Sequence, residues 1–249
     1  MIRRLCPALC AALFLCAVLA ACGEKETFAG SKRPKVESSE LQFTTPAEGD
    51  PIAVLSTTMG DISIVLYPAL APMAVENFTA LAQSGYYNGV PFSRVIEDFM
   101  VQTGAAAGTD GTSIWNGSAY RNEITDKLHH YAGAVAMAHA AGSTNGNLSQ
   151  FYIVQSAEDS VDGTLSKTLG EAGVRESVVN TYKRAGGAPY LDNLNTVFGQ
   201  VYAGMDVVDA IGAAACDEND RPLEEILVNS VTLGTYSAAA ATAPASGAQ

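Results

Sequence analysis

Between residues 51 and 235 the chain is cut by Gly, Pro, Asn and Asp into apolar runs of about four to eight residues, which is strand length rather than helix length. Ile62, Ile64 and Leu66 alternate with Asp61, Ser63 and Val65, the period-two pattern of a strand with two unlike faces. The run Ile52 to Leu55 precedes them across the turn signal Gly60-Asp61, which predicts an opening hairpin. Further strands are predicted at Phe92 to Ile96, Phe99 to Gln102, Ala134 to Ala138, Phe151 to Val154, Thr196 to Val201 and Ile226 to Leu233. Two helices interrupt the series. One starts at Ala71-Pro72-Met73, keeps Val75, Phe78 and Leu81 on one face and stops at Gly85; the other covers about Met205 to Ile211. Eight strands and two helices in one domain predict a mainly β fold, a closed eight-stranded antiparallel barrel with the helices capping its open ends. Closure also removes exposed sheet edges.

The segments outside this body read differently. Met1 to Arg4 and the apolar run Leu5 to Ala21 have the charged and hydrophobic regions of a secretory signal, so residues 1–21 are expected to be removed. The run of about 17 residues is at the lower limit for spanning a bilayer, and no basic stop-transfer cluster follows it. Its end, Leu19-Ala20-Ala21-Cys22, resembles the lipobox of bacterial lipoproteins, which implies lipidation of Cys22 and an extracytoplasmic protein tethered to a bacterial membrane. Residues 22–50 are rich in Glu, Lys, Ser, Thr and Pro and are expected to form a flexible acylated stalk, and residues 236–249 a disordered tail.

Composition excludes several function classes. A formal charge of −12 repels phosphate backbones, so a nucleic-acid partner is not expected. Four of the five cysteines lie within residues 6–22, leaving Cys216 alone in the body and no disulfide scaffold or cysteine zinc site. His129, His130 and Glu123 fail as metal ligands if the two histidines lie on a strand and point to opposite faces, and no metal is expected. No G-x-S-x-G, P-loop or G-x-G-x-x-G is present.

Three segments in order carry a positive assignment. Phe92-Ser93-Arg94-Val95-Ile96-Glu97-Asp98-Phe99-Met100-Val101-Gln102 resembles F-H-R-V-I-P-G-F-M-x-Q, the signature of the cyclophilins, which are peptidyl-prolyl cis-trans isomerases. Gly133 to Ala138 followed by Ser149 to Ile153 is similar to that family's G-x-[LV]-[SA]-M-A and S-Q-F-F-I, and Val197 to Val201 to its V-F-G-x-V. Glu76-Asn77-Phe78 also fits, and the resemblance extends over roughly residues 52 to 233. It implies isomerisation of X-Pro bonds in exported polypeptides, by a monomer that needs no cofactor. A cyclophilin-like module that binds proline segments with little turnover is the competing reading.

Rotation about an X-Pro amide crosses a barrier of about 18–20 kcal/mol and requires no nucleophile or metal. A donor that favours the twisted, pyramidal nitrogen selectively lowers that barrier, and a permanently charged guanidinium suits the task. The resemblance places Arg94 in this role. It implies an apolar seat for the proline at Phe99, Met100, Tyr152 and Leu191, with Gln102 and Gln150 fixing the peptide and Arg94 by hydrogen bonds. Ala138 and His139 match positions that hold substrate through the backbone; Tyr190 and Asn195 stand where the family often has Trp and His.

The chain also departs from the family. Glu97-Asp98 replaces Pro-Gly, which puts two carboxylates near Arg94 that either capture it or form an exposed acidic turn. Residues 157–188 form an insertion; Leu169, Val174, Val178 and Tyr182 lie near helical spacing and Gly186-Gly187 ends the segment, predicting one inserted helix with loops that serves as a lid, a partner surface or packed decoration.

Overall fold

The computed structural model describes residues 36–140 and 142–241. The expected signal sequence, Cys22 and the expected stalk up to residue 35, and the expected tail beyond residue 241, lie outside the described residues. Strands β1 (Pro51–Thr57) and β2 (Gly60–Leu66) form the expected hairpin, with cross-strand pairs running from Ile52–Val65 to Thr57–Gly60. Its loop is Thr58-Met59, and Gly60 adopts φ +135°, a conformation open to glycine but not to side-chain-bearing residues. Helix α1 (Pro72–Gln83) buries Val75, Phe78 and Leu81 as its spacing predicts and ends before Gly85. Its first turn is capped from a distance: the Glu123 carboxylate accepts from Met73 N at 3.1 Å and Ala74 N at 3.0 Å.

The remaining strands are β3 (Val90–Pro91), β4 (Arg94–Ile96), β5 (Met100–Thr103), β6 (Ala134–Met137), β7 (Phe151–Val154), β8 (Val197–Ala203) and β9 (Leu227–Thr235). Together with β1 and β2 they form, among the described residues, one sheet of nine strands in the order β3-β9-β1-β2-β8-β6-β7-β5-β4, with every pairing antiparallel. Nine segments stand where eight strands are expected, because the chain from Val90 to Ile96 pairs at both ends of the sheet, as β3 beside β9 and as β4 beside β5. Phe92 N donates to the Ile226 carbonyl beside β9, whereas Ser93 N donates to the Gln102 carbonyl in β5.

Alternation along the strands sorts side chains into two apolar layers. Leu55, Ile62, Ile64, Val101, Val135, Phe151 and Phe198 fill the inner core with α1, where the Phe78 and Phe151 rings meet edge to face at 5.5 Å. Val208 and Ile211 of α4 (Met205–Gly212) join this core. Val65, Met100, Ala134, Ala136, Tyr152 and Val154 form a second cluster on the opposite face.

Two regions differ from the sequence reading. The insertion is a hairpin of two helices, α2 (Gly163–Glu171) and α3 (Glu176–Ala185), because Gly173 at φ +82° ends the first near the middle of the predicted helix. Val161, Val178 and Tyr182 pack with Tyr131 in a third cluster, joined by Phe43. The latter part of the expected flexible stalk, residues 36–50, is docked on the body: Gln42 is 5% exposed, donates to the His129 carbonyl and Gln200 Oε1, and accepts from His129 N. A few anchoring side chains here outweigh a composition that reads as loop. Ala238–Ala241 forms a single helical turn, and Ala238 N donates to Glu48 Oε2.

Candidate active site

Four neighbouring strands carry one row of side chains. Arg94 in β4 pairs with Gln102 in β5, Gln102 with Tyr152 in β7, and Tyr152 with Ala136 in β6. Directly opposed residues share a face, so the row lies on the face away from the inner core. The core fixes this register, since a one-residue slip would turn Val101 and Ile153 outward and bury Arg94 and Gln102. Phe99 precedes β5, in a turn closed by Phe99 N on the Ile96 carbonyl, and joins the outer cluster rather than the core. Asp98 occupies the third position of this turn at φ +58°, where the family motif has glycine. Aspartate tolerates the left-handed region better than most residues, and its amide is held by Gln155 Oε1 at 2.8 Å.

The row opens into a cleft of about 550 Å³. Arg94, Phe99, Met100, Gln102, Ala138, His139, Tyr152, Leu191 and Asn195 all line it. Met100 and Tyr152 are buried, while Phe99 and Leu191 are half-buried against the same cluster, giving an apolar seat. Gln150 stands behind Gln102 and accepts its amide at 2.7 Å; Gln150 in turn donates to the Thr109 carbonyl. Tyr190 is at the rim, 62% exposed, its ring centroid 6.0 Å from that of Phe99. Asn195 Nδ2 lies 3.0 Å from the Met137 carbonyl and 3.2 Å from His139 Nε2. Because His139 Nδ1 faces the Ala140 carbonyl, which can only accept, the tautomer that satisfies both contacts carries its proton on Nδ1.

The partner of Arg94 is not one the sequence suggested. Arg94 Nε donates to Asp220 Oδ2 at 3.1 Å, and the expected bonds from Gln102 and Gln150 go to each other and to the Thr109 loop. Glu97 and Asp98 stand exposed in their turn. Asp220 lies 126 residues further along, between α4 and β9, and its carbonyl accepts from Val95 N, which fixes that loop against β4. The contact uses Nε, and among the described residues no hydrogen bond takes up the two terminal amino groups of the guanidinium.

Behind the cleft the two adjacent histidines converge on one carboxylate. Asp192 Oδ2 lies 2.8 Å from His129 Nδ1, and Asp192 Oδ1 lies 2.9 Å from both His130 Nδ1 and His130 N. The expectation that the pair points to opposite faces is corrected because residues 124–130 are not a strand. Glu123 is spent on capping α1, and among the described residues no group of three His, Cys, Asp or Glu could hold a metal ion. Tyr152 carries a hydroxyl where the family motif has Phe; among the described residues it has no hydrogen-bond partner, and burial, then the nearby Tyr190 and Asp192, push its phenol well above the usual range. Asn122, Ile124, Thr144 and Leu194 also line the cleft and were missed. They come from loops without periodicity, so position in the fold is the only signal for them. One cation beside an apolar seat, with amides on the flank, can bind and polarise an amide without forming a covalent intermediate.

Residues 52–233 match the family model described as cyclophilin type peptidyl-prolyl cis-trans isomerase/CLD. A protein of Staphylococcus saprophyticus named "Putative peptidyl-prolyl cis-trans isomerase" is 40% identical over 195 residues, covering 77% of this chain and 96% of its own length. A protein of the same name from Staphylococcus aureus is 38% identical over 186 residues, 74% of this chain and 92% of that one. The crystal structure of a cyclophilin type peptidyl-prolyl cis-trans isomerase of Cryptosporidium parvum, determined in the presence of the dipeptide Ala-Pro, is similar with a TM-score of 0.59 and 26% identity. That match covers 74% of this chain and 99% of the other.

Proposed function

Since the chain belongs to the cyclophilin-type peptidyl-prolyl cis-trans isomerases, we propose that the cleft beside Arg94 is where it rotates X-Pro bonds. The observation that carries this reading is the row Arg94–Gln102–Tyr152–Ala136 set beside the Phe99, Met100 and Leu191 seat. The seat holds the pyrrolidine ring by apolar contact while the acyl side turns. Gln102, held by Gln150, and the backbone at Ala138 and His139 fix the flanking peptide. The Arg94 guanidinium donates to the prolyl nitrogen as it pyramidalises, an interaction made in the twisted state and not in the planar one. No cofactor enters this chemistry.

The test is cis/trans exchange of an X-Pro peptide measured by NMR with full-length protein and its Arg94→Ala variant. Accelerated exchange by the wild type, lost in a folded variant, is the expected result. Line broadening from binding without accelerated exchange would refute it and leave a proline-segment binding module. One observation favours that second reading: Asp220 engages the guanidinium that has to act.

The closed-barrel reading of the sheet is supported by β3 and β4, its two ends, being joined through Phe92-Ser93 alone; taken as one bent strand they make eight. A lipid tether at Cys22, an extracytoplasmic setting, exported clients and a monomeric state complete the proposal, and the first two rest on the lipobox-like Leu19 to Cys22. Incorporation of labelled palmitate in cells, abolished by Cys22→Ser, tests the tether.

A further inference from the structure

The cleft wall from Pro189 to Asn195 is a surface loop that carries Leu191, Asn193, Leu194 and Asn195. It has little core of its own: Tyr190 and Leu194 are more than half exposed, and Asn193 sits at φ +66°. Asn195 is tied to the Met137 carbonyl and the Leu194 carbonyl to Asn122 Nδ2, and the anchor that reaches inward behind the cleft is Asp192, whose side chain is 16% exposed. Beside the His129 and His130 contacts, Asp192 Oδ2 accepts from Tyr182 Oη at 2.8 Å. Tyr182 belongs to α3 of the inserted hairpin, is fully buried, and packs its ring 4.4 Å from that of Tyr131. On the other side the His130 ring stacks at 6.2 Å and 19° on Tyr152, which lines the cleft. A continuous path therefore runs from the hairpin through Tyr182 and Asp192 to the cleft wall, and through His130 to Tyr152.

We propose that the α2–α3 hairpin is a positioning device for the proline cleft and that Asp192, held by Tyr182, His129 and His130, is the positioning residue through which it acts. This rests on the cleft being the isomerase site. Burial alone would raise the Asp192 carboxyl, but the hydrogen bonds and charge of the two histidines hold it well below the usual carboxylate range, so it stays an acceptor at every position. Burial and the neighbouring carboxylate push the Tyr182 phenol upward, so it stays the donor. The hairpin is thus neither a lid nor a passive decoration. It closes off one end of a polar network whose other end sets where Leu191 and Asn195 stand.

The experiment compares full-length wild type, Tyr182→Phe and Asp192→Ala by NMR exchange kinetics on an Ala-Pro-containing peptide, below the melting temperature of each. Tyr182→Phe keeps the ring packing and removes one bond, leaving Arg94 and Gln102 on their strands. We expect KM to rise about three- to tenfold with kcat within about twofold, because ground-state seating is lost and the donor is not. Backbone amide signals of Leu191, Asn193 and Asn195 shift in the same variant. Unchanged KM together with unshifted signals would overturn the proposal, as a merely structural hairpin alters stability alone. Should Asp192→Ala not fold, Tyr182→Phe decides by itself. If wild type accelerates no exchange, the isomerase reading fails separately, and peptide affinity with the same amide signals still decides the coupling.

Discussion

Replacing Asp192 in two ways separates its shape from its charge. Four donors face the carboxylate: His129 Nδ1, His130 Nδ1, His130 N and the Tyr182 hydroxyl, all within 2.9 Å. The side chains of His129 and His130 are 11% and 1% exposed, and Tyr182 is fully buried. Asp192→Ala strands these donors, each costing about 1–3 kcal/mol when unsatisfied, though water entering the vacated space relieves some. A net loss of about 3–5 kcal/mol is expected. Asp192→Asn can put its oxygen toward the two His130 donors and its amide toward Tyr182 and His129. The Tyr182 hydroxyl can accept, and His129 can move its proton to Nε2, which already faces the Asp126 carbonyl at 3.2 Å. A loss of about 1–2 kcal/mol is expected for this variant. The acid limb distinguishes the two effects further. The folded Asp192 carboxyl sits below its ordinary value of 3.8, so the unfolded chain takes up the proton more readily. Its contribution is complete above about pH 5 and is lost as pH falls through about 4 and below. Urea unfolding of full-length protein between about pH 5 and 2.5 should therefore fall less steeply for Asn than for wild type, other carboxylates being common to both. Parallel acid limbs, or an Ala variant within about 0.5 kcal/mol of wild type at pH 7, would refute the reasoning.

Three further outcomes follow from the geometry. Arg94→Ala should lower kcat/KM by about 10- to 100-fold, the worth of a charge-assisted bond of about 1.5–3 kcal/mol in the twisted state. Its unfolding free energy should change by less than about 1 kcal/mol, because the Arg94 and Asp220 side chains are 47% and 41% exposed; a large stability loss in denaturant titration would count against it. Gln42→Ala should destabilise by about 1–3 kcal/mol and speed hydrogen exchange at the His129 amide, whereas an undocked stalk predicts no change in either. Asp98→Gly should raise stability by about 1 kcal/mol or less, read as a higher denaturation midpoint, because the native φ of +58° favours glycine.

Much of the fold is written in short-range pattern. The β1–β2 alternation, the Val75–Phe78–Leu81 face of α1 and its stop before Gly85 each depend on residues within a turn or two of one another, and each forms as expected. That Arg94, Phe99, Met100 and Gln102 line one cleft follows from a linear motif, since they lie on one hairpin whose register sets their common side. Where the structure departs from the pattern, the deciding contact is distant or a single glycine outweighs the apolar spacing around it. Gly173 is such a residue, and its left-handed backbone divides the expected single helix into α2 and α3. Nothing near Gln42 signals that its amide will bond His129 and Gln200, because those partners are 87 and 158 residues away. The same holds for the partner of Arg94: nearby Glu97 and Asp98 were the natural candidates, but the turn that carries them leaves both exposed.

Residue order alone determined most of the strands, the two helices α1 and α4, the inner face of each, the motif that places a guanidinium beside an apolar seat, and the family to which the chain belongs. These follow from side-chain period and backbone preference, which are properties of a few neighbouring residues. Tertiary structure alone decided which carboxylate meets Arg94, which donors hold Asp192, and that Tyr182 of the inserted helices is one of them. Those choices depend on the strand order and on loops brought together across the sheet. A salt bridge or buried hydrogen bond is settled within about 3 Å, and a distance that short is fixed by the whole packed core rather than by any segment of the chain.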